Sequence, residues 1–241
     1  MADPTPGFLG RILGRRGLGT ARRVAAADSV VVIGLGRFGT ALALELMAQG
    51  TEVLGIDDDP AIVQSLNGHL TQVVRADATS EAALRQLSVP DFDRAVVAIG
   101  IDVEASLLAT SLLLRFGIEH VWAKALTTPH GEILAQLGVP HVVYPEAEMG
   151  RRLAHLVRGS MKDYVQVDSD FALVTTTAPA EAVGRPLGEC RIRARHDVTV
   201  VAVKPRGGGF TYTTAETVLQ PGDTIIVAGS VEAAERFSQL R

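Results

Sequence analysis

Residues 29 to 59, SVVVIGLGRFGTALALELMAQGTEVLGIDDD, restrict what this chain can become more than any other segment. An apolar run from Val30 to Ile33 leads into Gly34-Leu35-Gly36-Arg37-Phe38-Gly39. A helix-period stretch follows, and a second apolar run ends in Asp57, 21 positions beyond Gly36. A bare GxGxxG is a weak signal. With a strand before it, a helix after it and an acid about 20 positions on, it becomes the full dinucleotide-binding fingerprint. Gly34 permits the tight turn, Gly36 lets backbone approach phosphates, and Gly39 lets helix and strand pack closely. The exposed N–H groups and positive dipole end of the helix then form an anion site. Asp57 is placed to accept hydrogen bonds from ribose hydroxyls and would repel a 2′-phosphate, which favours NAD, ATP or ADP over NADP.

Arg37 departs from the usual turn, where a small or apolar residue is commoner. It reads either as a solvated arginine in the first helical turn or as a guanidinium that meets extra phosphate charge, its own ligand's or a neighbouring subunit's.

Short β-branched runs alternate with helical stretches over residues 29 to 143. The pattern predicts strands at 30–33, 52–56, 71–75, 94–99, 120–123 and 142–144. Helices are predicted near 38–49, 60–67, 80–87, 103–116 and 128–137. Asp59-Pro60 reads as an N-cap followed by proline at the first helical position. Such alternation implies right-handed crossovers and a doubly wound parallel sheet, with strand order 3-2-1-4-5-6 expected. Ligands of such sheets bind outside the strand carboxyl ends. Asp77, Ala78 and Thr79 follow the third strand there, Gly100 with Ile101 and Asp102 follows the fourth, and Lys124 ends the fifth. Each has a plainer reading too: Thr79 or Ser80 as a helix cap, and Lys124 as a lysine snorkelling to solvent.

Four regions are expected. Residues 1–27 form a basic extension, with arginines at 11, 15, 16, 22 and 23 against one aspartate. Its glycines and prolines argue against a stable helix, so it is expected to be disordered, or to order against acidic lipid headgroups. Residues 28–144 form the nucleotide-binding domain. Residues 145–161, from Tyr144-Pro145-Glu146 onward, form an amphipathic crossover helix and linker. Residues 162–241 read as a smaller α+β domain built from hairpins, with 163–167, 171–175, 199–204, 210–213 and 224–228 as strands. The fold class is therefore α/β, a Rossmann-like doubly wound parallel sheet plus a smaller α+β C-terminal domain. In the second domain Arg191, Arg193 and Arg195 alternate, which on a strand would put three guanidiniums on one face.

A net charge of −4 over 241 residues gives no electrostatic case for nucleic acid. Cys190 is alone, which rules out an intramolecular disulfide or a cysteine zinc cluster. No apolar run approaches the roughly 18 residues that would span a bilayer, and the N-terminus lacks a secretory h-region, so a soluble cytoplasmic chain is expected. No nucleophile is framed by a motif. An NAD-dependent oxidoreductase stays open as the alternative to a non-enzymatic sensor, and for it only Lys124 and His130 are acid–base candidates.

Taken together, GLGRFG (34–39), the acidic strand end at Asp57, DAT (77–79), VWAK (121–124) and YPEAEMG (144–150) resemble the regulator-of-potassium-conductance family (RCK or KTN domains). These are the cytosolic gating subunits of Trk/Ktr-type potassium uptake systems. IRARHDVTVVAVKP (192–205) resembles the family's second domain. The resemblance covers about residues 28 to 241. It implies a non-enzymatic homo-oligomer, an octameric ring of dimers attached to the inner membrane face through a membrane-embedded potassium-translocating subunit. In that family ATP and ADP compete for the fingerprint site and exchange changes the ring's shape. Carried over, Gly34, Gly36, Arg37, Phe38 and Gly39 would hold phosphates, with Arg37 reaching a neighbour's γ-phosphate. Asp57 would bind ribose, and Asp77 and Thr79 the adenosine end. Glu146 matches the glutamate that helps hold Mg²⁺ or another cation near the triphosphates. Some relatives bind cyclic di-AMP in the second domain, where Ile192, Arg195, Val198 and Val200 lie in the matching stretch. His196-Asp197 stands where those relatives often have Tyr-Gly.

Overall fold

The computed structural model describes residues 29–158 and 161–240. The expectations for the basic segment 1–27 lie outside the described residues. The chain divides into two compact units, with the boundary in sequence between Pro145 and Glu146.

In the first unit, β1 (Ser29–Ile33), β2 (Glu52–Asp57), β3 (Gln72–Arg75), β4 (Arg94–Val97), β5 (His120–Lys124) and β6 (His141–Val143) form a parallel sheet in the order β3-β2-β1-β4-β5-β6. The order is the one expected. β1 reads as a continuous apolar run because both its faces are covered: Val31, Val32 and Ile33 are at most 1% exposed. Burying each such side chain contributes roughly 1.5–3 kcal/mol. One core gathers Val31, Ile33, Leu54, Ile56, Leu113 and Leu134, and a smaller one on the other side gathers Val30, Val32, Leu35, Ala43 and Val53.

The crossover helices are α1 (Arg37–Ala48), α2 (Pro60–Ser65), α3 (Glu81–Gln86), α4 (Val103–Arg115) and α5 (Thr128–Gln136). Four of them start on a side-chain cap. Asp59 accepts from the Ala61 N–H, Ser80 from Ala83, Asp102 from Ala105 and Thr127 from His130. α1 starts on Gly36, which has no side chain to offer.

The second unit opens with α6 (Pro145–Arg158), whose first turn carries Glu146 and Glu148. Its antiparallel sheet is built from β7 (Asp163–Gln166), β8 (Phe171–Thr177), β9 (Val198–Lys204), β10 (Thr211–Tyr212) and β11 (Thr224–Ser230), in the order β10-β9-β11-β8-β7. Strand alternation is strict on β8 and β11, where every second residue is buried. Tyr164, Val174, Val198, Ile225, Val227 and Phe237 meet in this core, under the terminal helix α9 (Val231–Ser238).

The conditional reading of Arg191, Arg193 and Arg195 as one pleated face is resolved here. Residues 191–195 are not a strand: α7 (Leu187–Cys190) runs through a left-handed Arg191 (φ 52°) into α8 (Ile192–His196), which ends on a left-handed Asp197 (φ 56°). The three arginines therefore do not line one pleated face. The reason is tertiary. Arg195 and His196 both hold the carboxylate of Glu181, at 2.6 and 2.5 Å, while Ile192 and Cys190 are buried. On a strand, adjacent side chains would point to opposite faces and could not share one partner.

Candidate nucleotide site at the glycine turn

The site of the first unit lies where β1 separates β2 from β4, so that successive crossovers leave in opposite directions and open a crevice at the strand carboxyl ends. Across the sheet it takes in Asp77, Ala78 and Thr79 after β3, then Asp57 on β2 and the glycine turn after β1. Gly100 after β4 and Lys124 on β5 complete it. With neighbouring strands about 4.8 Å apart, this row spans about 19 Å, a length that suits an extended nucleotide.

The turn is built by its glycines. Gly34 has φ +86°, and a Cβ there would lie 2.9 Å from the Ile99 backbone nitrogen. A Cβ on Gly39 would run into the Gly34 carbonyl oxygen, so a bare Gly39 is what lets α1 start this close to β1. At Gly36 the space is open. That open, exposed position, combined with the absence of a capping side chain, leaves the first N–H groups of α1 facing outward.

Asp57 is drawn into the turn itself. One carboxylate oxygen accepts from the Leu35 N–H at 2.5 Å, and the other accepts from the Asp59 N–H at 2.9 Å. The Leu35 carbonyl in turn accepts from the Thr40 hydroxyl at 2.5 Å. Sequence reasoning assigned Asp57 only to ribose and did not identify Leu35 or Thr40. The Thr at the first turn of α1 is the signal that could have pointed to this bracing.

Around the turn, Lys124 is 8% exposed and its ammonium lies 5.7 Å from the Phe38 ring centroid. Its Nζ also lies 3.3 Å from where a Cβ on Gly100 would be, so the missing side chain there makes room for it. Phe38, Gly100 and Lys124 are thus brought together, and the snorkelling alternative for Lys124 is excluded by its burial. Arg37 is exposed and makes no ion pair with any described residue. Asp77 accepts from both the N–H and the hydroxyl of Thr79, at 2.8 and 2.6 Å, and these bonds hold its carboxyl below the ordinary range. Ala78 packs against the core. Asp102 serves α4 as its N-cap, while the adjacent Ile101 is 97% exposed at the crevice.

His130 is 2% exposed, and its Nδ1 accepts from the Leu126 N–H at 3.3 Å. Its Nε2 is buried without a partner, and burial pulls the imidazole below its ordinary value. The ring is buried and engaged with its own loop through Nδ1.

In the second unit a cavity of about 410 Å³ is lined by Arg191, Ile192, Arg193, Val198, Val200 and Thr213 among others. Of the four residues expected to share a ligand here, Ile192, Val198 and Val200 do line it. Arg195 does not, because it is committed to Glu181. Arg191 and Arg193 supply the cations of the wall instead. Glu146 is exposed on α6. Among the described residues, no three His, Cys, Asp or Glu side chains converge as metal ligands, and no helix is long and apolar enough to cross a membrane.

Comparison with known proteins identifies the family of both units. The TrkA-N domain model matches residues 30–145 and the TrkA-C domain model residues 171–240. The Ktr system potassium uptake protein C of Bacillus subtilis is 34% identical over 209 residues, which cover 86% of this chain and 95% of that protein. The Ktr system potassium uptake protein A of Vibrio alginolyticus is 32% identical, covering 82% and 90%. Among solved structures, the GsuK channel bound to NAD superposes with a TM-score of 0.61 at 18% identity, covering 97% of this chain and 44% of that one. The GsuK RCK domain gives 0.59 at 19% identity, covering 88% and 47%. This chain thus spans a little under half the length of those channel chains, and at such identity the likeness concerns the fold.

Proposed function

This chain belongs to the TrkA family of Ktr-type potassium uptake proteins, and from that premise we propose that it is a nucleotide-sensing regulatory subunit that gates a potassium-translocating membrane partner. The observation that carries the reading is the α1 N-terminus. It has no capping side chain, its turn is held open by three glycines, and it stands beside an arginine that no described residue neutralises. Such a terminus binds anionic phosphate through backbone N–H groups and the helix dipole. Asp57, Asp77 and Thr79 lie toward the adenosine end, and Lys124 with Phe38 and Gly100 closes the opposite side.

A ligand shifts a two-state assembly only by its differential affinity for the two states. ATP differs from ADP by one charged phosphate. Arg37, pointing outward from the turn, supplies the difference when it meets that phosphate in its own site or across a subunit boundary. NAD shares the adenosine diphosphate moiety and is named with the GsuK channel, so it enters the same test. Glu146 would offer one carboxylate to Mg²⁺ or another cation, the remaining oxygens coming from the triphosphate and water. The cavity at Ile192, Val198 and Val200 would take a second ligand such as cyclic di-AMP, with Arg191 and Arg193 as its phosphate partners. The relatives are potassium uptake proteins, which favours regulation over hydride transfer.

The assembly is a homo-oligomer, in the family's manner a ring of dimers held at the inner membrane face by the transporter. Met149, Leu153 and Val157 support this: they recur every fourth residue on α6 and are 49, 50 and 83% exposed, a stripe suited to a second copy. The deciding experiment is a thermal-shift panel of ATP, ADP, NADH and cyclic di-AMP on wild type and Arg37→Ala. Arg37→Ala should lose the preference for ATP over ADP while still binding ADP. Equal loss of both would remove Arg37 from the mechanism, and NADH ranking above ATP would reopen the oxidoreductase.

A further inference from the structure

A second cavity of about 410 Å³ in the C-terminal unit shares no lining residue with the one at Ile192, Val198 and Val200. It lies at one end of the antiparallel sheet, where β9 finishes at Lys204 and β11 begins at Thr224, its register partner. Lys162 precedes β7 at the same end and donates its N–H to the Thr175 carbonyl at 2.7 Å. The Pro205–Gly209 loop and Gly222 close the sides.

Three cations line this cavity, Lys162, Lys204 and Arg206, and no carboxylate does. None of the three makes an ion pair with a described residue. The two acids nearest in sequence are occupied elsewhere. Asp163 is paired with Arg152 at 2.6 Å, and Asp223 is 4% exposed and accepts from the Gln220 N–H at 2.9 Å. Lys162 Nζ spends one donor on the Thr224 hydroxyl, at 2.7 Å, and keeps its others. The Arg206 guanidinium rests against Gly222, whose φ of +84° requires glycine and leaves the room that the guanidinium fills. Lys204 Nζ lies 5.7 Å from the centroid of the Phe210 ring, which is 47% exposed.

Three like charges gathered around one hollow repel each other, and in a chain of net charge −4 they are not part of a general basic surface. The group that relieves this repulsion is a compact polyanion with several acceptor oxygens. Two ammonium groups and a guanidinium fork are the donor set that a phosphate takes. The volume falls in the range of small-molecule sites, and the Phe210 ring offers an apolar wall for the remainder of the ligand. We propose that this pocket binds a small soluble phosphate monoester, with the phosphate between Lys162, Lys204 and Arg206 and a flat or apolar group against Phe210. The pocket is lined by residues of the second unit only.

The test titrates the full chain with inorganic phosphate and with phenyl phosphate by calorimetry, with hydrogen exchange to locate the response. Phenyl phosphate should bind more tightly than inorganic phosphate and slow exchange in peptides covering residues 203–210 and 220–226. The Lys204→Ala/Arg206→Ala double variant should weaken it about tenfold or more, the loss expected for charge-assisted hydrogen bonds. Both side chains are exposed and their removal relieves the repulsion, so its melting temperature should not fall below that of wild type. Protection confined to the 34–39 turn, or affinity unchanged in the double variant, would overturn the proposal. Phosphatidylcholine vesicles containing phosphatidic acid form the lipid arm. Flotation with them that is lost in the same variant, with no response to phenyl phosphate, would overturn the soluble ligand in favour of a headgroup.

Discussion

The carboxylate of Asp57 accepts the backbone N–H of Leu35 across the gap between β2 and the glycine turn, at 2.5 Å, while its second oxygen accepts the N–H of Asp59. Both oxygens hold backbone, so this residue shapes the turn that it was expected only to serve. A ribose hydroxyl would share these oxygens through their remaining lone pairs.

The exchange Asp57→Asn separates the two roles. An amide has one acceptor, so one N–H would face the amide NH₂. The variant should lose about 2 kcal/mol of stability, the scale of hydrogen bonds to a charged group. Urea unfolding should show a lower midpoint at unchanged slope. An unchanged midpoint would mean that the turn does not depend on the carboxylate.

Gly39 and Gly36 should respond in opposite ways. A methyl at Gly39 meets the Gly34 carbonyl, and forcing the turn open should cost about 1–3 kcal/mol along with nucleotide binding. A methyl at Gly36 meets nothing within 4 Å. Gly36→Ala should therefore keep stability within about 0.5 kcal/mol while weakening ATP and ADP, because the methyl occupies the phosphate's approach. Melting curves read beside titrations separate the two effects.

His130 makes the first unit sensitive to mild acid. Burial lowers its folded value, so the unfolded chain takes up a proton first as pH falls below about 6.5. Stability is then lost with falling pH until the folded value is reached. His130→Asn keeps an acceptor for the Leu126 N–H and should flatten the melting temperature over that window. A wild-type slope retained in the variant would assign the sensitivity to another group.

Glu181 governs a lower window in the second unit. Burial pushes its carboxyl up, and the hydrogen bonds and charges of Arg195 and His196 bring it below its ordinary value. Its contribution is present above about pH 4.3, the unfolded value, and is lost as pH falls through the folded one. Glu181→Gln should remove that step and loosen α8, which hydrogen exchange over residues 187–197 would report.

The fingerprint was legible because its parts are local. Gly34, Gly36 and Gly39 answer backbone demands within six residues, and the apolar runs announce a sheet buried on both faces. The role of residues 191–195 was not legible, because alternating arginines fit a strand on local grounds. What made them helical was Glu181, ten or more positions earlier, holding Arg195 and His196 together. The same contact took Arg195 out of the cavity wall.

By itself the sequence determined the parallel sheet, its order, the glycine turn and the acid at the end of β2, since these follow from periodicity, turn chemistry and the handedness of crossovers. Tertiary structure alone decided which polar atoms meet. Asp57 braces Leu35, Lys124 is buried beside Phe38 and Gly100, and Lys162, Lys204 and Arg206 gather around one hollow. Asp57 and Leu35 are 22 positions apart, Lys124 and Phe38 are 86, and Lys162 and Lys204 are 42. Periodicity fixes which face a side chain takes but carries no information on which distant partner it finds there.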